Sequence, residues 1–203
     1  MTISPLIHVI DDDEAVRDSL QFLLEAAGYR VRLYDSARAF LDETLVAEES
    51  CIISDVRMPE MDGLALQAVL AKRGGPQNLI FMTGHGDVPL AVRALKAGAV
   101  DFLEKPFEEE AMLAAVQAAL ARCREQRGQN AESARARQRL QALTPREVEV
   151  LDRLVAGSPN KMIAFDLGMS PRTVEVHRAR IMEKTQARSL SELVRLVLAA
   201  QKN

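Results

Sequence analysis

Five residues with reactive or ion-binding side chains stand where apolar runs stop. Asp11 and Asp12 follow Leu6-Ile7-His8-Val9-Ile10, and Asp55 follows Cys51-Ile52-Ile53-Ser54. Thr83 closes Leu79-Ile80-Phe81-Met82, and Lys105 comes just after Val100-Asp101-Phe102-Leu103. Three carboxylates in one crevice repel one another and cannot all stay ionised unaided. A hard divalent cation resolves that conflict, and Mg2+ is held by one or two carboxylates together with waters and phosphate oxygens. With the charge balanced, one Asp is free to attack a phosphoryl group as a nucleophile. Lys105 then supplies a point charge for phosphoryl oxygens and Thr83 a hydroxyl donor.

The elements around these residues predict how they meet. Leu6–Ile10 reads as a first strand. The spacing of Val16, Leu20, Leu23 and Leu24 predicts a helix ended by Gly28. Val31, Leu33 and Tyr34 mark a second strand, and Ser36 is placed to cap the next helix. After the strand to Asp55, a helix around Leu64–Leu70 is broken by Gly74-Gly75-Pro76. A fourth strand ends at Thr83, the loop Gly84-His85-Gly86-Asp87 leads to a helix over Val88–Ala97, and Gly98 stops it. A fifth strand ends near Glu104, and the last helix starts near Glu108. Five β-α repeats predict an α/β flavodoxin-like, doubly wound parallel sheet of order 2-1-3-4-5, whose site lies at the carboxyl ends of the strands. Asp13, third in its row, is read as opening the first helix.

The chain changes character after residue 123. Residues 1–123 hold 11 Lys and Arg against 20 Asp and Glu, a net of −9; residues 124–203 hold 15 against 9, a net of +6. An acidic half joined to a basic half suggests that only the second meets nucleic acid. Residues 124–142 read as a polar linker, more a flexible tether than a rigid rod, because no aliphatic side chain larger than Ala occurs from Arg124 to Arg139 and Gly128 sits inside it. Structure restarts over residues 143–203 as a four-helix, all-α helix-turn-helix domain. Thr144-Pro145-Arg146-Glu147 is a capping box with Pro at the first helical position. Val148, Leu151, Leu154 and Val155 are expected to face the core. Ser158-Pro159 starts a second helix carrying Ile163, Phe165 and Leu167, and Ser170-Pro171 starts a third after Gly168. Ser189 with Glu192 repeats the capping box, and Leu190, Val194 and Leu198 make the fourth helix wider in apolar stripe than one core needs.

The third helix of this half is expected to enter DNA. With Val174, Ile181 and Thr185 inward, the opposite face carries Arg172, Glu175, Val176, Ala179, Arg180 and Glu183. Small apolar groups beside charged ones suit the major groove, where methyl contacts and base-edge hydrogen bonds coexist. Lys161, Arg172, Thr173, Arg178 and Lys184 are candidates for phosphate contacts, which fix register. His177 is read as a half-buried packing residue.

Residues 5–124 resemble the receiver domain of two-component response regulators, on the five residues named first. The resemblance implies that Asp55 accepts a phosphoryl group from a sensor histidine kinase, with Mg2+ held by Asp11, Asp12, Asp55 and the backbone carbonyl of Arg57. It further implies contacts of Thr83 and Lys105 with the phosphoryl group, a cis Lys105-Pro106 peptide, and an inward turn of Phe102 on activation. Arg57 and His85 stand where the family tunes water access. Residues 140–201 resemble the LuxR-type helix-turn-helix, through Leu143-Thr144-Pro145-Arg146-Glu147, Ser170-Pro171-Arg172-Thr173-Val174 and Val176-His177. The whole chain is similar to the NarL/FixJ family, which implies a phosphorylation-induced homodimer on double-stranded promoter DNA, contact with RNA polymerase, and a place in oxygen or nitrogen-fixation control. Some LuxR-type relatives carry Lys at the positions of Glu175 and Ala179, so a lysine-based contact scheme does not transfer.

Composition narrows the alternatives. Two Cys in apolar segments argue for a reducing compartment without a disulfide framework. The first residues lack a basic start and a long apolar run, so neither a secretory signal nor a membrane span is expected, and the location is read as cytoplasmic. The same Asp, Thr and Lys set would also serve a Mg2+-dependent aspartyl-phosphate phosphatase. Such enzymes place a second Asp two residues after the nucleophile, and here that residue is Arg57. A receiver joined to a helical protein-binding bundle is the third reading, against which the +6 charge weighs.

Overall fold

In the computed structural model, residues 4–43, 49–73, 78–84 and 88–201 are described. The Gly74-Gly75-Pro76 break and His85 lie outside them. The chain divides into two units, Met1–Glu125 and Gln126–Asn203.

In the first unit, strands β1 (Leu6–Ile10), β2 (Arg30–Tyr34), β3 (Ser50–Asp55), β4 (Leu79–Thr83) and β5 (Asp101–Glu104) form one parallel sheet of order β2-β1-β3-β4-β5. Helices α1 (Glu14–Ala26), α2 (Ala37–Asp42), α3 (Gly63–Lys72), α4 (Val88–Lys96) and α5 (Glu109–Gln141) connect and follow them. The central strands are apolar on both faces because both faces are covered. Ile7, Val9, Ile53, Ile80 and Met82 pack with α1 and the start of α5. Their alternate neighbours Ile10, Ile52, Leu79 and Phe81 pack with Phe40 of α2, Leu66 of α3 and Ala94 of α4. Local chemistry sets the ends of the helices. Asp13 caps α1 by accepting from the Ala15 N–H, Ser36 caps α2 through Ala39, and Asp62 caps α3 through Ala65. Gly28 and Gly98 stop α1 and α4 with φ of 86° and 100°.

The second unit holds the end of α5 with α6 (Pro145–Val155), α7 (Asn160–Asp166), α8 (Pro171–Thr185) and α9 (Leu190–Gln201). Its core joins Val150, Leu151 and Leu154 of α6 to Ile163 of α7, Val174 and Ile181 of α8, and Leu193 of α9. Thr144 and Glu147 form the capping box of α6, and Ser170 caps α8 through Thr173. Ser158 does not cap α7: Pro159 takes that position with no side-chain hydrogen bond.

Two expectations are corrected, and the apolar residues of α7 divide between core and surface. Residues 124–141 are helical, as part of α5, instead of a flexible tether. Their Arg, Gln, Glu and Ala residues are strong helix formers, which outweighs the ~1 kcal/mol cost of Gly128. Ser133, Ala136 and Leu140, at helical spacing, turn inward, and the Ser133 hydroxyl donates to the Ala199 carbonyl of α9 at 2.5 Å. Val148 is exposed and Val150 takes its place in the core, because the inward face of α6 begins at buried Glu147. Phe165 is 83% exposed and no part of the core.

Gly63 makes a close approach that fixes α3 beneath the end of β3. A Cβ there would lie 2.6 Å from the Asp55 carbonyl oxygen and 2.7 Å from the Phe81 ring. Gly63→Ala should therefore cost about 1–3 kcal/mol in stability through overpacking. Urea unfolding measures this, and an unchanged midpoint would show that the backbone yields freely.

Candidate functional site

Strand register assembles the acidic site. Ile10 pairs with Ser54, so Asp11 and Asp55 leave the sheet side by side. Thr83 pairs with Glu104, and Lys105 follows directly, its N–H donating to the Thr83 carbonyl at 2.7 Å. The Lys105-Pro106 peptide is cis. The Lys105 Nζ lies between the two carboxylates, 2.6 Å from Asp11 Oδ2 and 2.8 Å from Asp55 Oδ1.

The remaining oxygens are also occupied. Asp55 Oδ2 accepts from the Arg57 backbone N–H at 2.6 Å, which fixes the rotation of the carboxylate. Asp11 Oδ1 accepts from the Asp13 N–H at 3.0 Å, and the Asp11 carbonyl accepts from Arg17 Nη1 at 2.8 Å. Burial raises the Asp11 pKa, an effect only partly offset by Lys105 and the Asp13 N–H. For Lys105, burial opposes the charge, but hydrogen bonds to Asp11 and Asp55 outweigh it and the pKa ends raised. The ammonium stays charged and compensates two carboxylates at once.

Asp11, Asp55 and Lys105 thus meet as expected, and Thr83 is buried on the adjacent strand end. Asp12 is exposed and is not drawn into the cluster. Among the described residues no three carboxylate, histidine or cysteine groups stand together as a metal cluster. The donor set nevertheless fits Mg2+, which needs only one or two carboxylates, takes hard oxygens and completes its shell with water. Buried Asp11 beside Asp55 is the pair that could hold it, with Asp12 within a residue. Phe102 is half-buried, its ring centroid 6.4 Å from that of Phe81. Sequence reasoning missed Arg17, whose only signal is a basic residue one turn into α1. It also missed Gln67, buried on α3, which donates to the Ala94 carbonyl of α4 at 3.1 Å.

On α8, Val174, Ile181 and Thr185 are buried, and Arg172, Glu175, Val176, Ala179, Arg180 and Glu183 are exposed. Of the proposed phosphate contacts, Lys161, Arg172 and Thr173 are exposed, and the Thr173 hydroxyl pairs with Ser170 at 2.8 Å. Arg178 donates to Asn160 Oδ1 at 2.7 Å. Lys184 is engaged inside the unit, donating to Glu147 Oε2 at 2.7 Å, and that same oxygen accepts the Thr144 N–H at 2.8 Å. The pair ties the end of α8 to the start of α6, so Lys184 has a partner within the unit. His177 is half-buried, with its Nδ1 unpartnered.

Comparison with known proteins assigns each half of the chain to a family. Residues 7–117 match the response regulator receiver domain, and residues 141–197 match the bacterial regulatory proteins of the luxR family. The transcriptional regulatory protein FixJ of Azorhizobium caulinodans is 54% identical, over 96% of this chain and 92% of that protein. The structure of the response regulator StyR superimposes with a TM-score of 0.82 at 42% identity, covering 97% of this chain and 99% of that one. Full-length FixJ from B. japonicum gives 0.59 at 49% identity, covering 96% of each chain. The chain belongs to the response regulators of two-component systems that join a receiver to a LuxR-type DNA-binding domain, and it regulates transcription.

The Glu147–Lys184 pair carries a pH signature. The hydrogen bond from Lys184, then that from Thr144, lowers the Glu147 pKa to about 2. A depressed folded-state pKa contributes stability above the unfolded value near 4.5, and the contribution is lost as pH falls toward 2. Glu147→Gln should lose about 1–2 kcal/mol at neutral pH, moderated because Lys184 reaches water, and should show a flatter stability profile between pH 4.5 and 2. Chemical denaturation across that range checks both, and a parallel acid profile in the two proteins would rule the pair out as its source.

Proposed function

We propose that Asp55 is the phosphoacceptor of this regulator and that its phosphorylation by a sensor histidine kinase switches promoter binding. The supporting observation is the Lys105 ammonium shared between Asp11 and Asp55. An Asp55 carboxylate oxygen attacks the phosphorus of a phosphohistidine. The P–N bond breaks, the imidazole leaves, and an acyl phosphate forms. Mg2+ held by Asp11, Asp12, Asp55 and the Arg57 carbonyl would neutralise phosphoryl charge when bound. Arg57 N–H orients the carboxylate before attack, and Lys105 exchanges a carboxylate partner for a phosphoryl oxygen as charge builds there. The Thr83 hydroxyl donates to the same group, and Phe102 turns into the space beside Phe81.

The output follows from α4 and β5. Val88, Val92 and Leu95, at helical spacing, are 71%, 43% and 46% exposed, an apolar stripe suited to pairing two receivers. Gln67 holds α4 from within, so a shift of β5 and Phe102 bears directly on that stripe. A homodimer then presents two copies of α8 to paired half-sites of double-stranded DNA, as dimeric helix-turn-helix proteins do. Leu190 and Leu198, exposed on α9, extend the pairing within residues 143–203. The protein acts in the cytoplasm as a transcription regulator that meets RNA polymerase at the promoter. Its resemblance to proteins named FixJ supports a role in oxygen or nitrogen-fixation control.

Full-length protein incubated with Mg2+ and acetyl phosphate should become phosphorylated, shift from monomer to dimer in sedimentation, and bind DNA more tightly. Asp55→Asn should lose all three responses and keep its thermal unfolding transition. Phosphorylation of the Asp55→Asn protein, or a phosphorylated wild type that stays monomeric on DNA, would overturn this reading.

A further inference from the structure

A carboxylate sits in the middle of the surface that α8 would offer to DNA. Glu175 is exposed and makes no hydrogen bond or ion pair among the described residues. Arg172 and Ala179 lie one turn before and after it on the same face. Arg178, three residues on, directs its guanidinium to Asn160 instead. No cation on α8 forms an ion pair with Glu175, and insertion of the helix would carry an unpaired negative charge between two rows of phosphates. That placement is unfavourable unless the carboxylate finds a donor on the bases.

The donor has one identity. A carboxylate only accepts hydrogen bonds. In the major groove guanine presents O6 and N7, both acceptors, and thymine presents O4, also an acceptor. Adenine offers its N6 amino group beside the N7 acceptor, which suits a side chain with both donor and acceptor. Cytosine alone offers an amino group with no acceptor on the same base edge. The surroundings favour this contact, because Val176, 45% exposed, and Ala179 are apolar neighbours whose side chains offer Glu175 no competing hydrogen-bond donor. We infer that Glu175 is a specificity-determining residue that accepts a hydrogen bond from the N4 amino group of a cytosine in each half-site. The inference rests on the reading of α8 as the DNA-facing helix and adds to it which base is read.

The test is a random-site selection with the full chain, Mg2+ and acetyl phosphate, run in parallel on the wild type, Glu175→Ala and Glu175→Gln. Because Glu175 is exposed, both variants should keep the wild-type unfolding midpoint. The wild type should enrich a motif with an invariant cytosine at one position of each half-site. Replacing that base should weaken binding about tenfold in fluorescence anisotropy. Glu175→Ala should lose the preference at that position alone. Glu175→Gln should move it toward adenine, since an amide matches N6 and N7 together. A motif unchanged in both variants, or one degraded evenly at all positions, overturns the inference and leaves DNA binding standing. A wild type that enriches no DNA overturns the DNA-binding reading and the inference with it.

Discussion

One ammonium group sets the terms for the acidic domain. Lys105 Nζ is within 3 Å of a carboxylate oxygen on each of two different strands. Without a cation there, Asp11 and Asp55 would face each other across adjacent strand ends in a partly buried crevice, and one would have to take up a proton. With it, the two carboxylates share one compensating charge and point at a single place. That place is made by strand order: a sheet in the order β2-β1-β3-β4-β5 puts the ends of β1 and β3 side by side and brings β5 in over β4. The covered, two-faced hydrophobic sheet holds the strand ends rigid enough for one lysine to serve both acids.

The arrangement is also poised to change. Both oxygens of Asp55 are engaged, one by Lys105 and one by the Arg57 N–H, so any group added to this carboxylate must displace a partner. Lys105 has a second carboxylate in Asp11 and does not become an unpaired buried charge when it moves. The displacement is felt at β5, the strand that carries both Phe102 and the approach to Lys105. The phosphorylation proposed for Asp55 would thus be coupled by sequence adjacency to the packing of Phe102 against Phe81.

Much of this was legible in the sequence because it is local. Near-continuous apolar runs along Ile7–Ile10 and Leu79–Met82 mark strands with two buried faces, and Ser36, Thr144 and Ser170 cap the helices their spacing indicates. Asp11, Asp55, Thr83 and Lys105 could be placed because parallel strands deliver their carboxyl ends to one edge. The failures share a different origin. Val148 was expected inward because it is apolar and at helical spacing from Leu151 and Val155, and only the three-dimensional partners Lys184 and Thr144 make burial of the Glu147 carboxylate beside it favourable. Residues 124–141 were read as a tether because their apolar content is low. Small side chains such as Ser133 and Ala136 need a partner surface on α9 before they count as a buried face. Arg17 and Gln67 act on backbone carbonyls, acceptors that every residue carries and no motif announces.

The two buried carboxylate–lysine systems in this chain are built for opposite ends. Lys105 is shared by two acids, and each alternative partner lowers the barrier to exchanging the other. Lys184 has a single acid, and that acid is also held by the backbone at the start of α6, so removing the Glu147 carboxylate frees the Thr144 N–H and the Lys184 ammonium together. The first is the geometry of a switch, and the second that of a brace. The brace anchors the end of α8: with Lys184 tied to Glu147 and Arg178 bonded to Asn160, the side chains left exposed on the face proposed to meet DNA are those around Glu175 and Val176. A regulator needs both properties in one chain. The signal must be able to leave its resting partners, and the surface that reads DNA must not move when it does.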